Sequence, residues 1–458
     1  MRASVIDRLI FVVIFVASCV SWTVPAAGAE PPRVVRITPE NGDEGVDPAT
    51  TAIRIEFDQD MNPEGRSLCG GGDSFPELTG QPVWETPRVM VIPVRLSAGK
   101  TYAFGVNCFA ARNFRNAAGE SAVIEFVNFA TAPEGKEPTP SRTTTPEQNE
   151  RSLDMLARAI DERYAYRDRI VADWPSRIDA AKPDLLAAPT PACFARGLGR
   201  MLAAAEDMHV WVRLGSAGFG VYTRDFTANI DLARLRKAIP ELKQPVNQVI
   251  TGRWADGVGY IFISEWPGDR KSIEPAFAAL RALADCSGLI IDVRLNGGGD
   301  ERTARRFAEH FVKEPAVYSL NRFRDPQQPD GWTKMYDRVI DPLGKGEEKL
   351  QKGDAPFAGR VAVLIGPNCL SSNESFILMM KHGGHATLVG ETTGGSSGNP
   401  RPVELANGVT VFLPSWQDYL PDGTLLEGKG IAPDMHAALG PGPQDGVLET
   451  ALRIVRGE

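Results

Sequence analysis

The sequence predicts an α/β core built from βαβ units, led in by a helical subdomain and preceded by a small all-β sandwich. Three observations carry this. Residues 288–293 (GLIIDV) and 360–366 are apolar, β-branched runs without alternation, each followed by a helical pattern, as expected of strands buried on both faces. Residues 150–206 place apolar side chains three and four apart, as in LDMLARAIDERY and FARGLGRMLAAA, the period of a helix face. Residues 33–131 instead carry short β-like runs separated by Gly, Pro, Asn and Asp, the spacing of a sandwich.

With 458 residues, 43% of them apolar, the chain can bury two or three cores. Residues 1–29 hold Arg2 and Arg8, an apolar stretch over 9–20, and Ala27-Gly28-Ala29. This reads as a secretory signal cleaved after Ala29, too short to span a bilayer. A second reading takes Val16-Ala17-Ser18-Cys19 as a lipobox, with Cys19 lipidated and the protein tethered to the cell envelope. Either gives an exported protein, periplasmic or extracellular. A formal charge of −8 with no basic tract argues against nucleic acid as a partner.

Within 30–131, strands are expected at 34–37, 51–57, 88–94, 101–106 and 121–129. Cys69 and Cys108 are a plausible disulfide there in an oxidising compartment, worth roughly 3 to 4 kcal/mol. Cys193, Cys286 and Cys369 sit in apolar or helical contexts and read as small core residues. Residues 132–149 are rich in Pro, Thr and charge and read as a linker.

The helical subdomain, 150–215, ends in Asp207-Met208-His209, so this histidine sits where a helix yields to a strand. A lone histidine is ordinarily a core or solvated residue. The core, 216–458, has a strand at 259–266, a helix at 272–285 and the strand at 288–293, which runs into Arg294-Leu295-Asn296-Gly297-Gly298-Gly299. Three glycines let the backbone approach a ligand closely and present N–H groups at a helix start. They form neither G-x-G-x-x-G nor a G-K-[ST] loop, which disfavours a nucleotide phosphate and suits an oxyanion. A polar excursion occupies 322–357.

After the strand at 360–366, Ser371 and Glu374 form an S-x-x-E start to a helix that ends at Gly383-Gly384, before a strand at 386–390. This is one βαβ unit with a serine at its corner. Two readings stand together: a helix cap, or a nucleophile whose Oγ lies near free N–H groups. No H-E-x-x-H occurs, and His382 with His385 is a weak pair in a turn, so no metal and no cofactor are expected. G-x-S-x-G is absent as well. A strand at 409–414, a Gly- and Pro-shaped loop at 426–434 carrying Glu427, and a helix at 447–455 complete the chain.

Four stretches recur in one order: D-M-H at 207–209, IDVRLNGGG at 291–299, PNCLSSNESF at 367–376 and LEGKGIAPD at 426–434. With GETTGGSSG at 390–398 they resemble the tail-specific (C-terminal-processing) serine protease family, from residue 150 to the C-terminus. The resemblance implies a crotonase-like α/β protease core acting on a peptide or protein substrate. The tail-processing branch activates its serine with a lysine, and the position that would hold it is Ser396. The tricorn-like branch uses a histidine and a glutamate instead. The resemblance therefore implies Ser371 as nucleophile, His209 as general base and Glu427 as supporting carboxylate, with the N–H groups of Ser372 and Gly298 as oxyanion hole.

In the tricorn-like pattern a serine precedes the histidine; here Met208 stands there and cannot relay a hydrogen bond. Glu427 must then reach His209 directly or through water, or Asp207 orients the ring. The stretch between His209 and Gly259 is about 50 residues, too short for a PDZ insert of roughly 80 to 100. Residues 30–131 (ITPENGDEGVDPATTAIRIEFDQDMNP through LSAGKTYAFGV to FVNFAT) resemble bacterial Ig-like domains, which implies a spacer or docking module; the linker at 132–149 separates it from every candidate catalytic residue, so it is expected to be dispensable for cleaving short peptides. The competing function is a catalytically silent protease-fold protein that binds a peptide or apolar ligand in its cleft.

Overall fold

The computed structural model describes residues 30–108, 111–345 and 354–458. The expected signal segment and Cys19 lie outside the described residues. At the centre is a seven-stranded sheet in the order Lys243–Val246, Val249–Arg253, Val258–Ile263, Gly288–Asp292, Arg360–Ile365, Thr387–Gly390, Met435–His436. The first two strands pair antiparallel and lead antiparallel into the third. From Val258–Ile263 onward every pair is parallel.

Parallel neighbours need crossovers, supplied here by helices Arg270–Ala282 and Ser372–His382. One face packs on these helices and on Glu301–Ala308, the other on Leu232–Ala238 and Gly446–Arg456. Burial on both faces is why the central runs do not alternate: all of Gly288–Asp292 and all but Arg360 of Arg360–Ile365 are buried. Asp292 lies in register with Leu364, so the glycine turn and the Ser371 corner leave the sheet along the same edge.

Ahead of this core, Thr145 and Gln148 form a reciprocal capping box, and helix Pro146–Arg163 starts within the stretch expected to be linker. It packs with Trp174–Leu186 and Pro191–Leu202 on a second sheet whose strands include Trp211–Leu214, Ala217–Phe219, Pro400–Glu404 and Thr410–Pro414. The two strands at 400–414, read as part of the core, thus belong with the helical subdomain. The polar excursion also differs from expectation: Tyr336–Ile340 pairs with Ala316–Phe323, which pairs with Trp416–Tyr419. Charged residues hid these strands because Arg338 is paired with Glu301 and Asp418 and largely covered.

The N-terminal residues form two sheets around their own core, which contains Ile55, Phe57, Met90, Phe104 and Phe129. Cys69 and Cys108 are joined by a disulfide with Cα atoms 6.1 Å apart. The unit is joined to the helical subdomain by strand pairing and ion pairs. Its strand Glu125–Ala130 pairs with Ala217–Phe219 at Phe126 and Gly218, so one sheet runs from it into the helical subdomain. Arg196 closes the junction with buried bonds to Glu40 at 2.8 Å and Glu125 at 2.9 Å, and the Arg33 guanidinium donates to the carbonyls of Gly220 and Val221. The connecting stretch is itself tied down, Thr139 N–H to Gly45 O and Ser141 Oγ to Asp43. Among the described residues no helix is long and apolar enough to cross a membrane.

Candidate active site

Ser371 sits between strand Arg360–Ile365 and helix Ser372–His382 with φ 56° and ψ −132°. A non-glycine residue there is strained, and such strain persists only where the surroundings fix it. Its hydroxyl makes no capping bond, so the capping-box reading of S-x-x-E does not hold. Ser371 N–H donates to Ser396 O at 2.7 Å. Gly298 (φ 111°) lies directly against the corner: a Cβ there would fall 2.8 Å from Ser371 Cβ and 3.2 Å from Ser372 N. Only glycine fits. Ser372 Oγ donates to Gly299 O at 2.7 Å and ties the helix to the glycine turn. The Gly298 N–H, expected as an oxyanion donor, is given to Asn296 Oδ1 at 2.9 Å.

Glu374 does not reach back to the helix start as a box would require. It is buried and accepts from Thr393 Oγ1, from Gly395 N–H at 2.9 Å and from Ser396 N–H at 2.9 Å. Ser396 Oγ meets His209 Nδ1 at 2.8 Å, with the direction of that bond set by the imidazole tautomer. The serine that contacts the histidine therefore comes from the loop and not from position 208.

His209 is buried beside two buried carboxylates. Donor atoms of Asp207, His209 and Glu427 all lie within 4.8 Å of one another. Asp207 Oδ1 accepts the His209 backbone N–H and Oδ2 accepts the Tyr164 hydroxyl, each at 2.8 Å. Glu427 Oε2 accepts Ser397 N–H at 2.9 Å, while Oε1 is buried with no partner among the described residues. Burial pushes the His209 pKa down to about 4, so the ring is neutral at neutral pH. Burial raises Asp207 and Glu427, the latter further because it faces Asp207; the Arg169 charge opposes both shifts. This trio is also the set that could hold a metal. Three of its four carboxylate oxygens already accept hydrogen bonds and Nδ1 is on Ser396, which leaves fewer free donors than a closed metal site needs.

The structure thus gathers Ser371, Ser372 and Gly298 on one side and His209, Asp207 and Glu427 on the other, with Ser396 and Ser397 between them. No hydrogen bond links His209 to Ser371 or to Glu427 among the described residues. Sequence reasoning missed Asn296, Tyr164, the role of Glu374 and the contact of Ser396 with His209. A buried-acid signal was present for Glu374, which only Ser375 separates from the apolar run at 376–380. Nothing local marks Tyr164, which reaches Asp207 across 43 residues.

Residues 257–437 match the model of peptidase family S41. The carboxy-terminal processing protease CtpB of Bacillus subtilis (strain 168) is 26% identical over 178 residues, 38% of this chain and 33% of that protein, so the match spans a third of that relative's length. A solved structure of a peptidase candidate from Parabacteroides merdae ATCC 43184 is similar with a TM-score of 0.55 at 23% identity, over 68% of this chain and 97% of that one. That likeness is one of fold. Together the matches support an S41-type α/β peptidase core, the family of tail-specific proteases.

Proposed function

We propose that this chain is an exported serine endopeptidase that cleaves extended peptides through a Ser371 acyl-enzyme. The observation that carries the reading is the Ser371 corner: a strained, uncapped serine at a helix N-terminus, packed on a glycine turn and joined through Ser396 to a buried, neutral histidine. A serine hydroxyl is inert at neutral pH without a base, and the anionic intermediate needs donors already in position.

His209 takes the Ser371 proton as Oγ attacks the scissile carbonyl, then protonates the leaving amine; water reverses the sequence on the ester. Asp207 holds the His209 backbone, and the nearby Glu427 carboxylate, its Oε1 without a partner among the described residues, offsets the charge of the imidazolium that forms. The Ser372 N–H is one oxyanion donor. The Gly298 N–H is the other, once it exchanges Asn296 Oδ1 for the substrate oxygen. A lysine base is disfavoured because Lys381 is ion-paired with Asp434 at 2.8 Å and sits ten residues along the helix from Ser371, about 15 Å at helical rise. Export rests on the N-terminal sequence pattern and the Cys69–Cys108 disulfide; residues 30–131 are read as a bacterial Ig-like module built into the enzyme.

The occupied Gly298 N–H favours one alternative, a catalytically silent protein that binds a peptide in its cleft. Labelling the purified chain with a serine-directed fluorophosphonate and mapping the adduct separates the two. A single adduct at Ser371, absent in Ser371→Ala, is expected. An unlabelled chain that binds peptides without cutting them would establish the silent reading.

A further inference from the structure

The helix behind Ser371 carries a carboxylate that this hydrolytic scheme leaves unused. Glu374 is wholly buried, and a buried carboxylate is costly unless neighbours donate to it. No ion pair compensates it among the described residues; hydrogen-bond donors do. Oε1 accepts Thr393 Oγ1–H and Gly395 N–H, and Oε2 accepts Ser396 N–H. Thr393 Oγ1 itself accepts Ile431 N–H at 2.8 Å, so its own hydrogen is directed to Glu374. All three neighbours donate. A carboxylate accepts from all three, against a burial that pushes its pKa up to about 7, whereas an amide at this position would turn its NH₂ on at least one of the donors.

What these bonds fix is the turn at 393–396, which touches both halves of the site. Ser396 O receives the Ser371 N–H, and Ser396 Oγ meets His209 Nδ1. Gly395 (φ 66°) passes so close to the 426–434 loop that a Cβ would fall 2.5 Å from Gly430 N. The turn therefore has little freedom of its own, and it is tied to the nucleophile corner by Glu374, by the Ser371 N–H to Ser396 O bond and by the Gly394 N–H to Cys369 O bond at 3.0 Å.

We propose that Glu374 is a positioning residue for hydrolysis: it ties the helix of the nucleophile to the 393–396 turn, so that Ser396 holds the Ser371 backbone and the His209 ring in register. This rests on the serine-peptidase reading above. Glu374 touches no substrate and acts through Ser396.

The test uses the full chain and three variants, Glu374→Gln, Glu374→Asp and Thr393→Val, the last removing a single donor in case the first two fail to fold. Peptide kcat and KM are measured alongside the His209 ring titration by NMR, recorded in a Ser371→Ala background and assigned with His209→Ala. For Glu374→Gln a fall in kcat of about 10- to 100-fold with KM within about threefold is expected, together with a displaced His209 midpoint. Thr393→Val is expected to show the same pattern at about 3- to 10-fold. A purely structural role would lower the melting temperature but leave kcat per folded molecule and the His209 midpoint unchanged, and that result in any folded variant overturns the proposal. A wild-type chain that neither cuts peptides nor takes a phosphonate would sink the peptidase reading instead, while the NMR comparison still tests the clamp.

Discussion

Two buried charge clusters flank the active edge of the core sheet, and they are built on opposite plans. In the first, Arg294 is fully buried between two carboxylates: it reaches Asp292 at 2.7 and 3.0 Å and Asp445 at 3.0 Å, and donates to Asn229 O at 2.8 Å. Tyr260 OH completes Asp292 at 2.8 Å. The two carboxylates hold the guanidinium pKa above its ordinary value even though burial lowers it. In the second, Asp207 and Glu427 face each other across a neutral His209, with one carboxylate oxygen left over. The first cluster anchors the strand end from which the glycine turn departs. In the proposed mechanism the second would offset a charge that arises on His209 only during the reaction. Asp445 Oδ2 and Asn229 Oδ1 also lack hydrogen-bond partners among the described residues, so the clusters differ in charge: the first closes a cation between two carboxylates, whereas the second sets two carboxylates with raised pKa values around a neutral ring, a perturbation that marks a candidate site.

That contrast can be broken in three ways. The largest effect is expected at the base: His209→Ala should lower kcat on the order of 10³-fold or more, while Lys381→Ala should leave it near wild type. Because burial depresses the His209 pKa to about 4, the acid limb of kcat/KM should fall well below the ordinary histidine range near 6.5. A limb near pH 8 to 9 that moves with Lys381→Ala would make a lysine the base.

Next comes the scaffold cluster. Arg294→Met strands two buried carboxylates and should cost about 3 to 5 kcal/mol in urea unfolding. A variant as stable as wild type would mean the two clusters do not differ in kind.

The smallest effect is a pH linkage. Unfolded His209 takes a proton near pH 6.5 that the folded ring refuses until about pH 4, so between these values the unfolded state binds more protons and falling pH destabilises the fold. His209→Ala should therefore gain on wild type by roughly 2 to 3 kcal/mol between pH 7 and pH 4. Asp207 and Glu427, raised in the fold, act with the opposite sign, so the wild-type loss itself is smaller than this difference. A gap that stays constant with pH would show that the ring is not held neutral by burial.

Strand and helix order in the core was legible because burial on both faces writes a continuous apolar run, as at residues 288–293 and 360–366. The Thr101–Val106 strand of the N-terminal unit coincides with its expected bounds. Harder to read was anything set by distance along the chain. Glu374 looks like half of a capping box until the 393–396 turn folds over it. Ser396 looks like a missing lysine until His209, 187 residues away, reaches it. Gly298 was read as a donor, but its partner Asn296 belongs to the same turn, and no pattern in N-G-G-G says which way the amide points. The strands at 400–414 carry ordinary β signals; which sheet they join depends on Trp211–Leu214 lying beside Thr410–Pro414.

The shared sheet also bears on how such a chain can be made. Strand Glu125–Ala130 finds one neighbour in Thr101–Val106, close behind it, but its other neighbour, Ala217–Phe219, follows some ninety residues later. A chain threaded outward from its N-terminus would present that edge bare, with Phe126 facing the solvent and Glu125 awaiting Arg196. An unpaired strand edge is an invitation to pair with another molecule. The interval between the arrival of residue 130 and residue 219 is therefore the window in which association with a second copy or with a holding chaperone competes with correct folding.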